Sequence, residues 1–162
     1  MQAMPLFERS CVVRAPIADV FAFHLDTRNA ARISPRALPI VAIRGSFPLA
    51  ESDEVEIVVR LWPTPFRQTW RVEAERIVAP TLLVDRMLAG PFPSWLHQHR
   101  FEDLGDGSTR LTDHVDYHLP LGRLGSCADA LLVRRLMARM FRCRQARTRE
   151  LLEEAGGKRG IG

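Results

Sequence analysis

SWLHQHRFEDLGDGSTRLTDHVDYHL, residues 94–119, is the stretch on which the fold is read. Successive side chains of a strand point to opposite faces. Over its first half that rule puts Trp95, His97, His99 and Phe101 on one side and Leu96, Gln98 and Arg100 on the other. Over its second half it puts Leu111, Asp113, Val115, Tyr117 and Leu119 on one side and Arg110, Thr112, His114, Asp116 and His118 on the other. A three-residue loop Gly105-Asp106-Gly107, with Gly107 left-handed at a bulge, is a common hairpin connection. It pairs Leu104 with Ser108, and counting back pairs Phe101 with Leu111, His99 with Asp113, His97 with Val115 and Trp95 with Tyr117. Opposed residues of an antiparallel pair share a face, so both apolar sets fall together. Shifting the register by one would set Phe101 against Arg110. The expectation is a hairpin whose inner face carries aromatic residues, two imidazoles and a carboxylate. A buried carboxylate needs a partner, and His99, directly opposite, is the expected one, with His97 diagonal to the pair.

Working outward, residues 6–14 read as a strand that Ala15-Pro16 stops, and Pro16 suits the first position of a helix running to about residue 25. A short helical segment near 28–33 ends at Ser34-Pro35. Residues 40–44 are a short strand. EVEIVVRL turns Val55, Ile57, Val59 and Leu61 inward, and FRQTWRVEAERI turns Trp70, Val72 and Ala74 to one face. TLLVDRML is a further strand, closed by Gly90-Pro91. From Ser126 to Glu154 the pattern is one long helix, with Leu132, Leu136, Met140, Cys143 and Leu151 as its apolar stripe. Short connections favour an antiparallel meander. A sheet with one apolar face needs a cover, and only the last helix is long enough to supply it. The expected fold is α+β: a curved antiparallel sheet on a long C-terminal helix, with two short helices after the first strand.

The whole is 162 residues, the size of one domain. The expected division is a tail over 1–5, a single domain over 6–154 and a flexible tail over 155–162. Hydrophobic content of 46% and charged content of 26% are those of an ordinary globular protein. No apolar run reaches a membrane span, and the N-terminus shows no signal-peptide hydrophobic region. Cys11, Cys127 and Cys143 are far apart and form no metal or redox spacing, so they read as reduced packing residues of a cytoplasmic protein. The net charge of +4 comes from arginine almost alone. It permits an acidic partner without requiring one.

These segments resemble the START-like, or SRPBCC, superfamily of helix-grip proteins. The pieces that carry the likeness are FERSCVVRAPIADVFAFHLD, with its strand, Ala-Pro, and helix ending Phe-x-x-Asp at Asp26, then GPFPSWLHQHRFEDLGDGSTRLTDHVDYHLP and the closing helix. The resemblance spans nearly the whole chain and is similar in detail to a bacterial subgroup that is ligand-binding or polyketide cyclase-like. It implies a curved sheet gripping the helix over a cavity that takes a hydrophobic or aromatic small molecule. Fold alone does not settle chemistry.

Three readings of His97, His99 and Asp113 stand side by side: a buried network that fixes register, ligand-orienting groups in an apolar pocket, and acid/base catalysis. In the catalytic reading, of cyclase, dehydratase or hydrolase type, His99 oriented by Asp113 moves a proton while His97 polarises an oxygen. The candidate ligand wall is Trp70, Trp95, His97, His99, Phe101, Asp113 and Tyr117 from the sheet, with Leu132, Leu136 and Met140 from the helix. Neither a metal nor another cofactor is expected, because His99 would have to leave or share Asp113 to become a ligand. Arg134, Arg135, Arg139, Arg142, Arg144, Arg147 and Arg149 crowd the last helix. They read as a solvated surface, with an interaction module for an anionic partner as the alternative. No nucleic-acid motif accompanies them. Arg135, beside the apolar stripe, is the candidate to meet an acidic ligand. His24, His114 and His118 read as surface or capping residues.

Overall fold

Alternating strands and one amphipathic helix resolve into a single sheet. A computed structural model describes residues 6–61, 63–119 and 132–159. Its elements in chain order are β1 (Leu6–Val13), α1 (Ile17–Leu25), α2 (Asn29–Ile33), β2 (Ile40–Arg44), β3 (Glu54–Arg60), β4 (Arg67–Val78), β5 (Leu82–Ala89), β6 (Ser94–Asp103), β7 (Thr109–His118) and a long helix, α3 (Arg134–Arg159). The seven strands lie in the order β1-β7-β6-β5-β4-β3-β2. Every neighbouring pair is antiparallel. β2 to β7 form the expected meander, and β1 returns to lie beside β7.

The β6–β7 hairpin has the register read from its sequence. Trp95 faces Tyr117, His97 faces Val115, His99 faces Asp113 and Phe101 faces Leu111. The Leu104 N–H donates to the Ser108 carbonyl at 3.0 Å to close the turn. Gly105 and Gly107 both take positive φ, +80° and +79°, a region that L side chains enter at a cost. The Asp106 carboxylate accepts from the Ser108 backbone N–H at 3.0 Å and holds the loop.

α3 crosses the concave face and buries Met137, Phe141, Gln145, Thr148 and Leu152. These recur at spacings of four, four, three and four, one helical face. The stripe is therefore rotated by one residue from the expected one. Leu132 and Leu136 are 58% and 56% exposed, while Met140, Cys143 and Leu151 flank the buried line. The rotation follows from what the sheet offers: Phe7 stacks on Phe141 with ring centroids 5.2 Å apart, and Gln145 meets polar groups of β1 and β7. A reading based on apolar residues alone passes over Gln145 and Thr148. The helix also runs through Ala155–Gly157 to Arg159, beyond the expected boundary at 154. Its expected start at Ser126, and Cys127, lie outside the described residues.

Three clusters make the core. One packs α1 against the hairpin end of the sheet through Val13, Phe21, Phe101 and Leu111. A second joins Phe7, Val115 and Tyr117 to Met137 and Phe141 of α3. The third is smaller, Leu49, Val55 and Ala74, under β3 and β4. Between the second and third the helix and sheet stand apart.

Candidate functional site

That separation is a cavity of about 520 Å³. Its walls come from α1, α2, β2 to β6 and α3. Val55, Ile57, Val59, Trp70, Val72 and Ala74 supply an apolar wall. These are the inward residues that strand alternation selects on β3 and β4. Leu61, 42% exposed, and Leu136 also line the cavity and mark its open rim. Among the described residues, the opposite wall carries the chemistry: Asp85, His97, His99, His24 and Arg144.

Of the expected ligand wall, Trp70, Trp95, His97, His99, Leu136 and Met140 line this cavity. Phe101 and Tyr117 are buried in the two larger core clusters. Asp113 is buried behind the histidines. Leu132 is outside the lining.

Both carboxylates reach diagonally. Asp85 on β5 sits opposite His97, and Asp113 on β7 sits opposite His99. Yet the hydrogen bonds cross: His97 Nε2 donates to Asp113 Oδ1 at 2.9 Å, and His99 Nε2 donates to Asp85 Oδ2 at 3.2 Å. Diagonal neighbours on one sheet face lie within reach of long side chains. His99 Nδ1 is also 3.0 Å from Asp113 Oδ1. That is an ion-pair distance, but the approach is out of line and the atom makes no hydrogen bond. So Asp113 has His99 as its strand neighbour, as expected, but His97 as its hydrogen-bonded partner. The other oxygen, Oδ2, accepts from Gln145 Nε2 at 2.7 Å, and the same amide nitrogen donates to the Arg9 carbonyl at 3.0 Å.

The charges follow from these partners. Burial opposes ionisation of Asp113, but the hydrogen bond from His97 and the charge of His99 close beside it outweigh this and hold the carboxyl well below the usual range. An ionised carboxylate only accepts, so His97 Nε2 carries a proton. Burial, reinforced by the neighbouring His99, lowers His97 to about 4. At neutral pH His97 is therefore uncharged and its Nδ1 keeps a lone pair. Burial also opposes charge on His99, but Asp113 and Asp85 together overcome it and raise the imidazole to about 9. A neutral ring thus lies 3.9 Å, centroid to centroid, from a charged one.

Two residues depart from expectation. His24 is not a surface residue: its ring packs 5.1 Å from His99 and 5.2 Å from Phe101. Its Nδ1 donates to the Val20 carbonyl at 2.8 Å, and burial, with the charge of His99, lowers it to about 3. The helix arginine that lines the cavity near this cluster is Arg144, whereas Arg135 is exposed and outside the lining. The one-residue rotation of α3 moves Arg135 outward. His118 is exposed, as expected, and His114 bonds Glu8 at 2.8 Å on the outer face. Asp85 was the legible omission, an acid between Leu83 and Met87 on the inward side of its strand.

One ring nitrogen each of His97 and His99 and an oxygen of Asp85 lie within 4.8 Å of one another, a donor set of the kind that can hold a metal ion. In this arrangement the His99 and Asp85 atoms are already engaged with each other. No helix among the described residues is long and apolar enough to cross a membrane.

With the fold and this geometry in view, comparison with known proteins is informative for architecture. The chain has a helix-grip fold, a curved sheet of antiparallel strands on a long C-terminal helix. It superposes with a TM-score of 0.73 on the di-domain ARO/CYC StfQ of the steffimycin biosynthetic pathway, at 13% identity. That match covers 94% of this chain and 51% of the other, so the chain spans about half of the two-domain protein. Norcoclaurine synthase of Thalictrum flavum matches at a TM-score of 0.71 and 11% identity, over 95% of this chain and 97% of that one. A Nitrosomonas europaea protein matches at 0.72 and 12% identity, over 97% and 99%. No protein-family model and no curated protein sequence matches the chain.

Proposed function

We propose that the protein binds a hydrophobic or aromatic small molecule in the cavity between sheet and α3. The observation that carries this reading is the cavity itself: about 520 Å³, with an apolar wall facing a small polar cluster. That volume falls in the range of small-molecule sites, and a few convergent polar groups among apolar walls is their usual composition. Two proteins that share the fold, StfQ and norcoclaurine synthase, are named for small-molecule chemistry. Titration with the neutral fluorophore Nile red tests the reading. A saturable rise in emission is expected, and it should vanish in Val72→Trp, which fills the apolar wall, while circular dichroism stays unchanged. Equal binding by both proteins would sink it.

A second reading, acid/base catalysis, has its own supporting observation: a neutral His97 with one free lone pair beside a charged His99. Environments that push paired titratable groups apart are how sites separate acid from base. The roles are then the reverse of those suggested by sequence. His97 takes the proton, anchored by Asp113, and His99, held between two carboxylates, stabilises developing negative charge. His97→Gln should abolish turnover of a candidate substrate yet leave Nile red binding intact; unaltered turnover would exclude this role.

A further inference from the structure

Arg144 is the charged group that the internal network leaves over. Asp113 is engaged by His97 and Gln145, and Asp85 by His99. Among the described residues no carboxylate oxygen comes within ion-pair distance of the Arg144 guanidinium, and it makes no hydrogen bond. Its Cζ lies 5.9 Å from the centroid of the Phe141 ring. The side chain nevertheless lines the cavity. Several arginines on the outer face of the sheet are held by acids, Arg71 by Glu54, Arg86 by Glu73 and Arg110 by Glu102. Arg144 is half-buried where it lines the cavity, so its donors stay open to a partner. Its planar fork of donors matches the paired oxygens of a carboxylate.

We infer that the cavity's ligand is an apolar carboxylic acid, whose carboxylate lies against Arg144 and whose body lies against the Val55–Ala74 wall. This rests on the cavity reading above. The polar end is poised for such a group. With His99 charged, Asp85, His99 and Asp113 together carry one excess negative charge, which acts on Arg144 only through space and leaves its donors unpaired. The histidines hold both of those carboxylates in place, so they do not compete for the guanidinium's donors. His97 and His24, both uncharged, add no charge of either sign. Arg139, which also lines the cavity, is exposed and offers a second cation on the way in.

The experiment is displacement of Nile red by 2-naphthoate and by 2-naphthamide, which match in shape and differ in charge. In the wild-type protein the acid should compete at a concentration about ten- to a hundredfold lower than the amide, the size of one charge-assisted pairing. Arg144→Gln should remove that advantage while Nile red still binds, and Arg144→Lys should keep part of it. Equal competition by acid and amide in the wild type overturns the inference and leaves the cavity reading standing, as does an acid preference that survives Arg144→Gln. Failure of wild-type protein to bind Nile red overturns both. Should Arg144→Gln not fold, the Arg144 Nε–H signal in NMR spectra of the wild type decides: it should move with 2-naphthoate and not with 2-naphthamide, and the same shift with both would count against a carboxylate site.

Discussion

Strands β3 and β4 line the same cavity as β5 and β6, yet the two halves differ in kind. Apart from Gln68, which accepts from the Trp70 indole, the β3–β4 half is apolar: Val55, Ile57, Val59 and Val72 beside that ring. Asp85, His97 and His99 present polar groups that the protein itself pairs by hydrogen bonds. Both halves obey the same two-residue alternation, and both turn their outer faces to arginine and glutamate. The difference teaches that alternation decides which side chains face inward, whereas lateral register decides what they do there. An apolar wall tolerates small changes in register because any neighbour serves. A hydrogen-bonded wall does not.

Four experiments press on that comparison. Asp113→Ala should do the most damage, since it strips the acceptor from His97 and Gln145 inside the core. Breaking a buried pair costs about 3–5 kcal/mol, a fall in Tm of roughly 10 °C for a chain of this size. A loss no larger than that of a surface variant would show that the polar wall is not a structural element.

The pH dependence of Tm comes next. His99 is raised to about 9, so its contribution is complete below pH 6.5 and fades as pH climbs through 9. His97 and His24 are lowered to about 4 and about 3, so theirs is complete above pH 6.5 and fades as pH falls. Stability should therefore peak near pH 6.5. The alkaline limb should span on the order of 3 kcal/mol, and His99→Gln should flatten it. A profile level from pH 6.5 to 9 would show that His99 is not charged.

On the apolar wall, Val59→Ala removes two buried carbons, about 1.6 kcal/mol at ~0.8 per methylene, and should leave the pH profile unchanged. A changed profile would mean the two walls are coupled. Smallest of all, Arg71→Gln on the outer face should leave Tm within error of wild type, because exposed ion pairs contribute little.

The sequence carried the hairpin register because Gly105-Asp106-Gly107 sets the loop length and the mixed faces on either side admit one pairing. It carried the helix's role as cover, but not its phase. Gln145 and Thr148 lie on the buried face, and hydrophobicity does not mark them. Asp85 was visible as an acid among aliphatics, but its bond to His99 depends on the β5–β6 register, and no tight turn announces that register. Arg144 could not be distinguished from its six helix companions until the helix was turned to its true angle.

β1 pairs with β7, and Ser10 shares a hydrogen bond with Thr112 across 102 positions. On the ribosome, then, β1 emerges ahead of β7 and cannot find its place until β7 has followed. Everything between must be synthesised before Phe7 can reach Val115. The sheet can grow as a meander from β2 onward while the N-terminal segment waits, and the contact that seats it also shuts the end of the sheet where Asp113 is buried. Closure of so long a loop is slow by nature, and it makes the burial of that carboxylate one of the last events in the biogenesis of the protein.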